Sequence, residues 1–199
     1  MKNTRIWEIG GFVAGAVLIV FGVVAIFMGV SGYSTTRDAL KDEGITFGSA
    51  DDPAVAEHAG QWADEQVTTG EQARAFASVM REHTLASTDG LTYAQMGRFQ
   101  SADQPSDPAG TNDEAAALKD ESGQPVANGA RNIWVTETAL TTALNMSYMA
   151  EQLAIFGIVV GVALLLTGIG LVILAFAVFG REPRAAAVPA RAVQASAPG

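Results

Sequence analysis

Two long uncharged stretches most constrain what this chain can fold into. Residues 9–30 contain no charged side chain over 22 positions, and residues 153–179 contain none over 27. An α-helix rises ~1.5 Å per residue, so each stretch is long enough to cross a hydrocarbon core about 30 Å thick. The sequence therefore predicts two membrane-spanning helices and argues against a compact soluble enzyme.

The first stretch has an alternative interpretation as a cleaved signal peptide, with Val30-Ser31-Gly32 as a weak small-residue cleavage site. The apolar regions of secretory signal peptides are about 7–15 residues long. The stretch in this chain has 22 residues. Its length favours an uncleaved helix.

The distribution of charge predicts how the two helices are oriented. Lys2 and Arg5 precede the first stretch, and Arg181 and Arg184 follow the second. The intervening segment has 7 basic and 19 acidic residues. Positive charge accumulates on the cytoplasmic side of membrane helices. We therefore expect a cell-membrane protein with both termini in the cytoplasm and the intervening segment on the extracytoplasmic side.

The predicted fold is an all-α membrane protein. It is an antiparallel two-helix transmembrane hairpin with long outward helical extensions and a small, mostly helical extracytoplasmic region. The predicted order is a cytoplasmic tail 1–8, transmembrane helix 9–30, an extracytoplasmic region 31–152 with a flexible insertion 100–130, transmembrane helix 153–179 and a disordered cytoplasmic tail 180–199.

Small residues form a stripe along each predicted span. The spacing of 4, 7 and 7 residues recurs in both helices. In an antiparallel pair the depths match, which predicts four facing pairs: Gly11 with Ala175, Gly15 with Gly168, Gly22 with Gly161 and Gly29 with Gly157. Small residues let helix backbones approach closely in lipid, so we expect these positions to pack the spans together. A partner chain is the alternative, as is the ordinary frequency of glycine in membrane helices. The predicted packing residues are Gly11, Gly15, Gly22, Gly29, Gly157, Gly161, Gly168 and Ala175.

Local signals predict the helices of the outer region. The first helix is expected to end near Asp42, with Gly44 in the left-handed position that follows a helix and Ile45 folding back on Leu40. The second long helix is expected to begin at Asn132, with Ile133, Leu140 and Leu144 on one face.

Between the two long helices, Thr68 and Glu71 match a capping box at the start of a helix, and residues 91–99 are predicted as a short helix. Leu, Ile, Val and Phe make up only 16 of the 122 residues of segment 31–152. A segment so poor in large apolar residues buries too little to fold alone. We expect it to need the two long helices, or a partner, to complete its core.

The sequence predicts no catalytic, cofactor-binding or metal-binding residue. The chain has no cysteine, and its two histidines, His58 and His83, have no ligand spacing that supports an iron site. We expect His83 to be partly buried beside Phe76 and Met80. No nucleophile, phosphate-binding or calcium-binding motif is present. The net charge of −9 argues against nucleic acid as a partner.

Three segments resemble a family of small actinobacterial two-span membrane proteins. They are YSTTRDALKDEGIT at 33–46, HTLASTDGLTYAQMGRF at 83–99 and ARNIWVTETALTTALNMSYMAEQLAIFGIVVG at 130–161. Members are sometimes named aromatic-ring-opening dioxygenases, but these residues do not provide the iron ligands that the name requires. The resemblance implies a two-span topology and a bacterial cell membrane rather than an activity.

Two functional hypotheses follow. The first is a non-catalytic structural or accessory protein of a bacterial envelope or respiratory assembly, with the lipid bilayer and a membrane-protein partner or a second copy as its contacts. The second is an extracytoplasmic ligand-sensing module coupled to the two membrane helices. The thin core of the outer region favours the first hypothesis.

Overall fold

The computed structural model describes the backbone of residues 2–179 and the side chains of residue 7 and residues 9–177. The described part is all-helical, without a β-strand. Its four α-helices are α1 (Lys2–Asp42), α2 (Pro53–Ala59), α3 (Gly70–Ser87) and α4 (Gly129–Phe179), with short 3₁₀ turns at Gly60–Trp62 and Tyr93–Gln95. The predicted disordered tail 180–199 lies outside the described residues.

Helices α1 and α4 are both long and apolar enough to cross a membrane. α1 ends at Asp42, and Gly44 follows with a φ of +65°, which confirms the predicted stop. α4 begins at Gly129, three residues before the predicted start, and continues without interruption to Phe179. At ~1.5 Å per residue its 51 residues extend about 76 Å. That is more than twice the thickness of a hydrocarbon core.

The chain divides into two compact units. Unit 1 comprises Met1–Val24 and Gly161–Gly199, and unit 2 comprises Ala25–Val160. The described part of unit 1 contains only α1 and α4 residues. Unit 2 contains the remainder of both long helices together with α2, α3 and the connecting segments.

The core of unit 2 is assembled on the two long helices. Phe47 is 2% exposed and packs against Trp62, with ring centroids 6.1 Å apart, and against Phe76 at 5.4 Å. Leu40 from α1 and Leu144 from α4 belong to the same buried cluster, and Ile45 packs against it. Burial removes apolar surface from water, and the outer segment has little such surface of its own. The long helices therefore complete its core, as the composition predicts.

Helix α2 begins at a capping aspartate that is followed by proline. The carboxylate of Asp52 accepts a hydrogen bond of 2.9 Å from the amide of Ala54, and Pro53 occupies the first helical position. Both features favour a helix start, because the cap satisfies a free amide and proline has no amide to satisfy. α2 then packs against α3.

The capping box of α3 lies one residue later than predicted. Thr69, not Thr68, caps the helix by accepting a hydrogen bond from the amide of Gln72. The side chain of Gln72, not Glu71, reaches back to the amide of Thr69. Glutamine serves this role as well as glutamate. Because Gln72 is 6% exposed and Glu71 is exposed, the shift of one residue buries the uncharged side chain.

The helix predicted at residues 91–99 is wrong except for the single 3₁₀ turn Tyr93–Gln95. Beyond it the backbone is extended at Met96, and Gly97 lies directly against the backbone of Thr111. Gly97 and Phe99 use their amides to bond to Ala109 and Thr111. These contacts with a distant segment replace the hydrogen bonds that a local helix would make.

Residues 100–130, predicted as a flexible insertion, contain a hydrogen-bonded set of isolated bridges. Phe99 pairs with Thr111 and with Ala127, and further bridges join Ser101 to Ala117 and Lys119 to Pro125. The buried side chain of Asn128 donates to the carbonyl groups of Gly97 and Pro108. Composition does not locate such side-chain-to-backbone bonds. The flexibility of the segment stays a prediction.

Candidate functional site

The small-residue stripe of α1 lies against α4 in unit 1. A Cβ atom built on Gly22 would lie 2.7 Å from the carbonyl oxygen of Gly161, and one on Gly15 would lie 2.8 Å from that of Gly168. The contact is reciprocal, since a Cβ on Gly168 would lie 2.7 Å from the Gly15 oxygen. Real Cβ atoms do not approach this closely, so the backbones meet only because these residues have no side chain.

The two ends of the predicted stripe also meet residues of the other helix. In unit 1, a Cβ on Gly11 would lie 3.6 Å from the Cβ of Ala175. In unit 2, a Cβ on Gly157 would lie 3.9 Å from the Cα of Gly29. Gly29 packs more tightly on Ala154, because a Cβ built on Gly29 would lie 2.7 Å from the Ala154 carbonyl oxygen. The structure thus brings together the eight predicted packing residues in the four predicted pairs.

Large apolar side chains point away from this contact. In unit 1, Phe21 is 63% exposed and Leu166 is 64% exposed; in unit 2, Phe27 is 73% exposed. A helix of a water-soluble protein has the opposite arrangement, with large apolar residues buried and polar residues outside. Small residues inside and large apolar residues outside are typical of helices packed in lipid.

A buried glutamate on α4 joins three helices of unit 2. Glu151 is 6% exposed, and its carboxylate accepts a hydrogen bond from the amide of Gly70 at the start of α3. It also forms an ion pair with Arg37 of α1, with 3.4 Å between Oε1 and Nε. The contact between Arg37 and Glu151 is an ion pair without a hydrogen bond from the Arg37 Nε. A negative charge at a helix N-terminus is stabilised by the free amides there.

A second buried glutamate lies 14 residues before the first on α4. Glu137 is 3% exposed and forms an ion pair of 3.8 Å with Arg81 of α3. The Arg81 guanidinium also lies over the Trp134 ring, 4.8 Å from its centroid. The indole nitrogen of Trp134 donates a hydrogen bond of 2.9 Å to the carbonyl of Leu91. α3 therefore contacts the two buried glutamates of α4 through its first amide and through Arg81 in its second half.

The face of α4 that is buried in unit 2 differs from the face on which its large apolar residues recur. Ile133 is 45% exposed and Leu140 is 48% exposed, so only Leu144 of the predicted face is buried. The buried face contains Glu137, Leu144 and Glu151, which are spaced seven residues apart. This seven-residue spacing could have identified the buried face from the sequence, but two of the three residues are charged. A search for recurring apolar residues alone therefore does not find this face.

The two histidines lie in different surroundings. His83, predicted to be partly buried beside Phe76 and Met80, has a side chain that is 50% exposed, and its Nε2 lies 2.9 Å from a carboxylate oxygen of Asp52. His58 lies on the wall of a separate pocket. Among the side chains that the structure describes, no three from His, Asp or Glu converge as metal ligands do.

That pocket is an open, mainly polar depression of about 530 Å³ in unit 2. Three pieces of chain contribute to it: the end of α2 with the following 3₁₀ turn, the first turns of α3, and α4 just before its uncharged stretch. The Arg74 guanidinium lies on one wall, 5.0 Å from the centroid of the Tyr148 ring. The lining also includes the side chains of His58, Trp62, Glu71 and Gln152.

Comparison of the chain with family models, characterised proteins and solved structures finds no match. The fold defines it as an all-helical protein with two helices of membrane-spanning length. The resemblance to an actinobacterial two-span family stays a prediction.

Proposed function

We propose that the chain is a two-span integral protein of a bacterial cell membrane and acts as a non-catalytic structural or accessory component of an envelope or respiratory assembly. Residues 9–30 and 153–179 form an antiparallel hairpin in the bilayer. Both termini are cytoplasmic, and residues 31–152 are extracytoplasmic. The proposal rests on one observation: α1 and α4 contact each other through small residues, while their large apolar side chains are exposed.

The exposed apolar surface has to be covered by lipid or by other membrane helices. Phe12, Phe21, Phe27 and Phe156 are each 47% exposed or more. An apolar surface of this kind in water would cause aggregation, whereas in a bilayer it contacts acyl chains or a partner. This supports membrane insertion and leaves a wide surface for assembly.

The construction of the outer region supports a role in binding another protein. Its core includes Leu40 and Leu144, and its buried charges pair across helices at Arg37–Glu151 and Arg81–Glu137. A domain held on the membrane helices in this way presents a surface fixed to them, as an accessory subunit requires. The excess of acidic residues in this region favours a partner with a basic surface.

A ligand-sensing module is the second candidate, and the open pocket in unit 2 is the observation that favours it. Purification in a mild detergent, followed by mass spectrometry of co-purifying proteins, separates the two candidates. We expect a stoichiometric membrane-protein partner. A chain that purifies alone and is stabilised by a soluble small molecule would favour the sensor.

A further inference from the structure

The open pocket of unit 2 is lined by an acidic and a basic side chain that are not paired with another charge in the part of the chain that the structure describes. Glu71 and Arg74 are one helical turn apart on α3, and both line the pocket. Among the described residues, neither side chain forms an ion pair, whereas the arginines beside the buried glutamates of α4 do. Two opposite charges at the wall of one depression are available to a ligand that carries both signs.

The other walls of the pocket suit a phosphate and an ammonium group. Arg74 is held against the Tyr148 ring, so its guanidinium is partly fixed in position before a ligand arrives. A guanidinium binds phosphate through paired charge-assisted hydrogen bonds. The indole of Trp62 and the carboxylate of Glu71 both attract a cation, the first through its ring and the second through its charge.

The position of the pocket along α4 specifies where such a ligand is found. Tyr148 and Gln152 line the pocket, and the uncharged stretch begins at the next residue, Leu153. At ~1.5 Å per residue, these two side chains lie within about 8 Å of the apolar boundary along the helix. The polar headgroup layer of a bilayer occupies about 5–8 Å on each side of the hydrocarbon core. The pocket therefore lies at the depth of the outer headgroups, which rests on the proposed membrane insertion.

We infer that this pocket binds the headgroup of an outer-leaflet phospholipid that carries both a phosphate and a primary ammonium, as phosphatidylethanolamine does. Arg74 binds the phosphate, and Glu71 and Trp62 bind the ammonium. A phospholipid whose headgroup has no ammonium, such as phosphatidylglycerol, offers no cation for Glu71 to bind. The site therefore selects the zwitterionic lipid over the anionic one.

The test measures lipid binding to the full-length chain purified in a mild detergent, by titration and native mass spectrometry. The probes are dioleoyl phosphatidylethanolamine, dioleoyl phosphatidylglycerol and the soluble headgroup glycerophosphoethanolamine. The variants are Arg74→Gln and Glu71→Gln. The controls are Arg98→Gln, which changes another exposed arginine beside an aromatic ring, and Glu82→Gln, which changes another exposed acid of α3.

We expect the unmodified chain to prefer phosphatidylethanolamine, and Arg74→Gln to weaken its binding about tenfold, since one hydrogen-bonded charge pair is lost. Glu71→Gln should remove the preference over phosphatidylglycerol, and both controls should bind as the unmodified chain does. Equal binding of the two lipids, or unchanged binding by Arg74→Gln, overturns the inference. Equally tight binding of glycerophosphoethanolamine also overturns it, because the ligand would then be a soluble molecule.

Failure of this inference is distinguishable from failure of the proposed function. Extraction of the membranes with alkaline carbonate reports insertion independently of any lipid preference. A chain that resists extraction but shows no lipid selectivity contradicts the headgroup site alone. A chain released by carbonate contradicts membrane insertion, and the headgroup site with it.

Discussion

Gly22 of α1 and Gly161 of α4 approach so closely that no side chain fits between them. A Cβ atom added to Gly22 would lie 2.7 Å from the Gly161 carbonyl oxygen and 2.7 Å from the amide nitrogen of Leu165. Both obstacles are backbone atoms, which cannot rotate away. The helices therefore have to separate if residue 22 carries any side chain.

The first prediction is that Gly22→Ala destabilises the protein, whereas Gly10→Ala does not. Gly10 lies on the same helix, and a Cβ there would have no atom within 4 Å. We expect Gly22→Ala to lower the free energy of unfolding by about 1–3 kcal/mol, the usual cost of overpacking. Gly10→Ala should change it by less than about 0.5 kcal/mol. Unfolding titrations in mixed detergent micelles measure both, and equal effects would argue against the close contact.

The second prediction concerns crosslinking between the two helices. Because the chain has no cysteine, Gly22→Cys combined with Gly161→Cys introduces a single pair. Although the new side chains push the helices slightly apart, the two positions still face each other, so we expect a short crosslinking reagent to join them within one chain. Val23→Cys with Val162→Cys is the matched control, because Val23 is 53% exposed and Val162 is 42% exposed. Equal crosslinking of both pairs, or a product of twice the mass from the glycine pair, would contradict packing within one chain.

The third prediction is that Glu151 stabilises the junction of α1, α3 and α4. Glu151→Gln removes the charge that Arg37 and the start of α3 share, while keeping nearly the same shape. We expect the free energy of unfolding to fall by about 1–3 kcal/mol, because a buried hydrogen-bonded charge is lost and Arg37 is left without its partner. Hydrogen exchange should show earlier opening of the first turn of α3. Glu82→Gln, on the exposed side of α3, is the control and should have no such effect.

The fourth prediction follows from the contact of Asp52 with His83. Burial raises the pKa of the Asp52 carboxyl, but hydrogen bonds from the Ala54 amide and from His83, with the histidine charge, outweigh it and hold the pKa below its ordinary value. The contact therefore stabilises the fold above the ordinary aspartate pKa of about 3.9, and this contribution is lost as the pH falls through the lowered value. NMR titration should show the Asp52 pKa rising toward normal in His83→Gln. An unchanged pKa in that variant would show that His83 has no part in the shift.

The fifth prediction tests the orientation in the membrane. Single cysteines introduced as Ser49→Cys and Ser106→Cys should react with a membrane-impermeant thiol reagent in intact cells, because both positions belong to the proposed extracytoplasmic region. Ser196→Cys should react only after the cells are opened. Labelling of the Ser196 variant alone in intact cells would mean that the orientation is inverted.

Features of the fold that depend on a strong local signal were predictable from the sequence. The stop of α1 at Asp42 followed from Gly44, whose missing side chain permits the positive φ that ends a helix. The two membrane-length helices followed from the length of the uncharged stretches, because a backbone in lipid must satisfy its own hydrogen bonds. Spacing also led to the pairing of Gly22 with Gly161, since it fixes which residues of two antiparallel helices share one depth.

Only the tertiary structure decided which polar side chains are buried. Sequence periodicity places Ile133 and Leu140 on one face of α4, yet α3 covers the face that contains Glu137 and Glu151. Burial of a carboxylate depends on a partner elsewhere in the chain, here Arg81 or Arg37, and no local pattern names that partner. The pocket beside Arg74 could not be predicted for the same reason, because it depends on segments that are distant in sequence. Its walls come from α2, α3 and α4, and their meeting is a property of the packed structure rather than of any one segment.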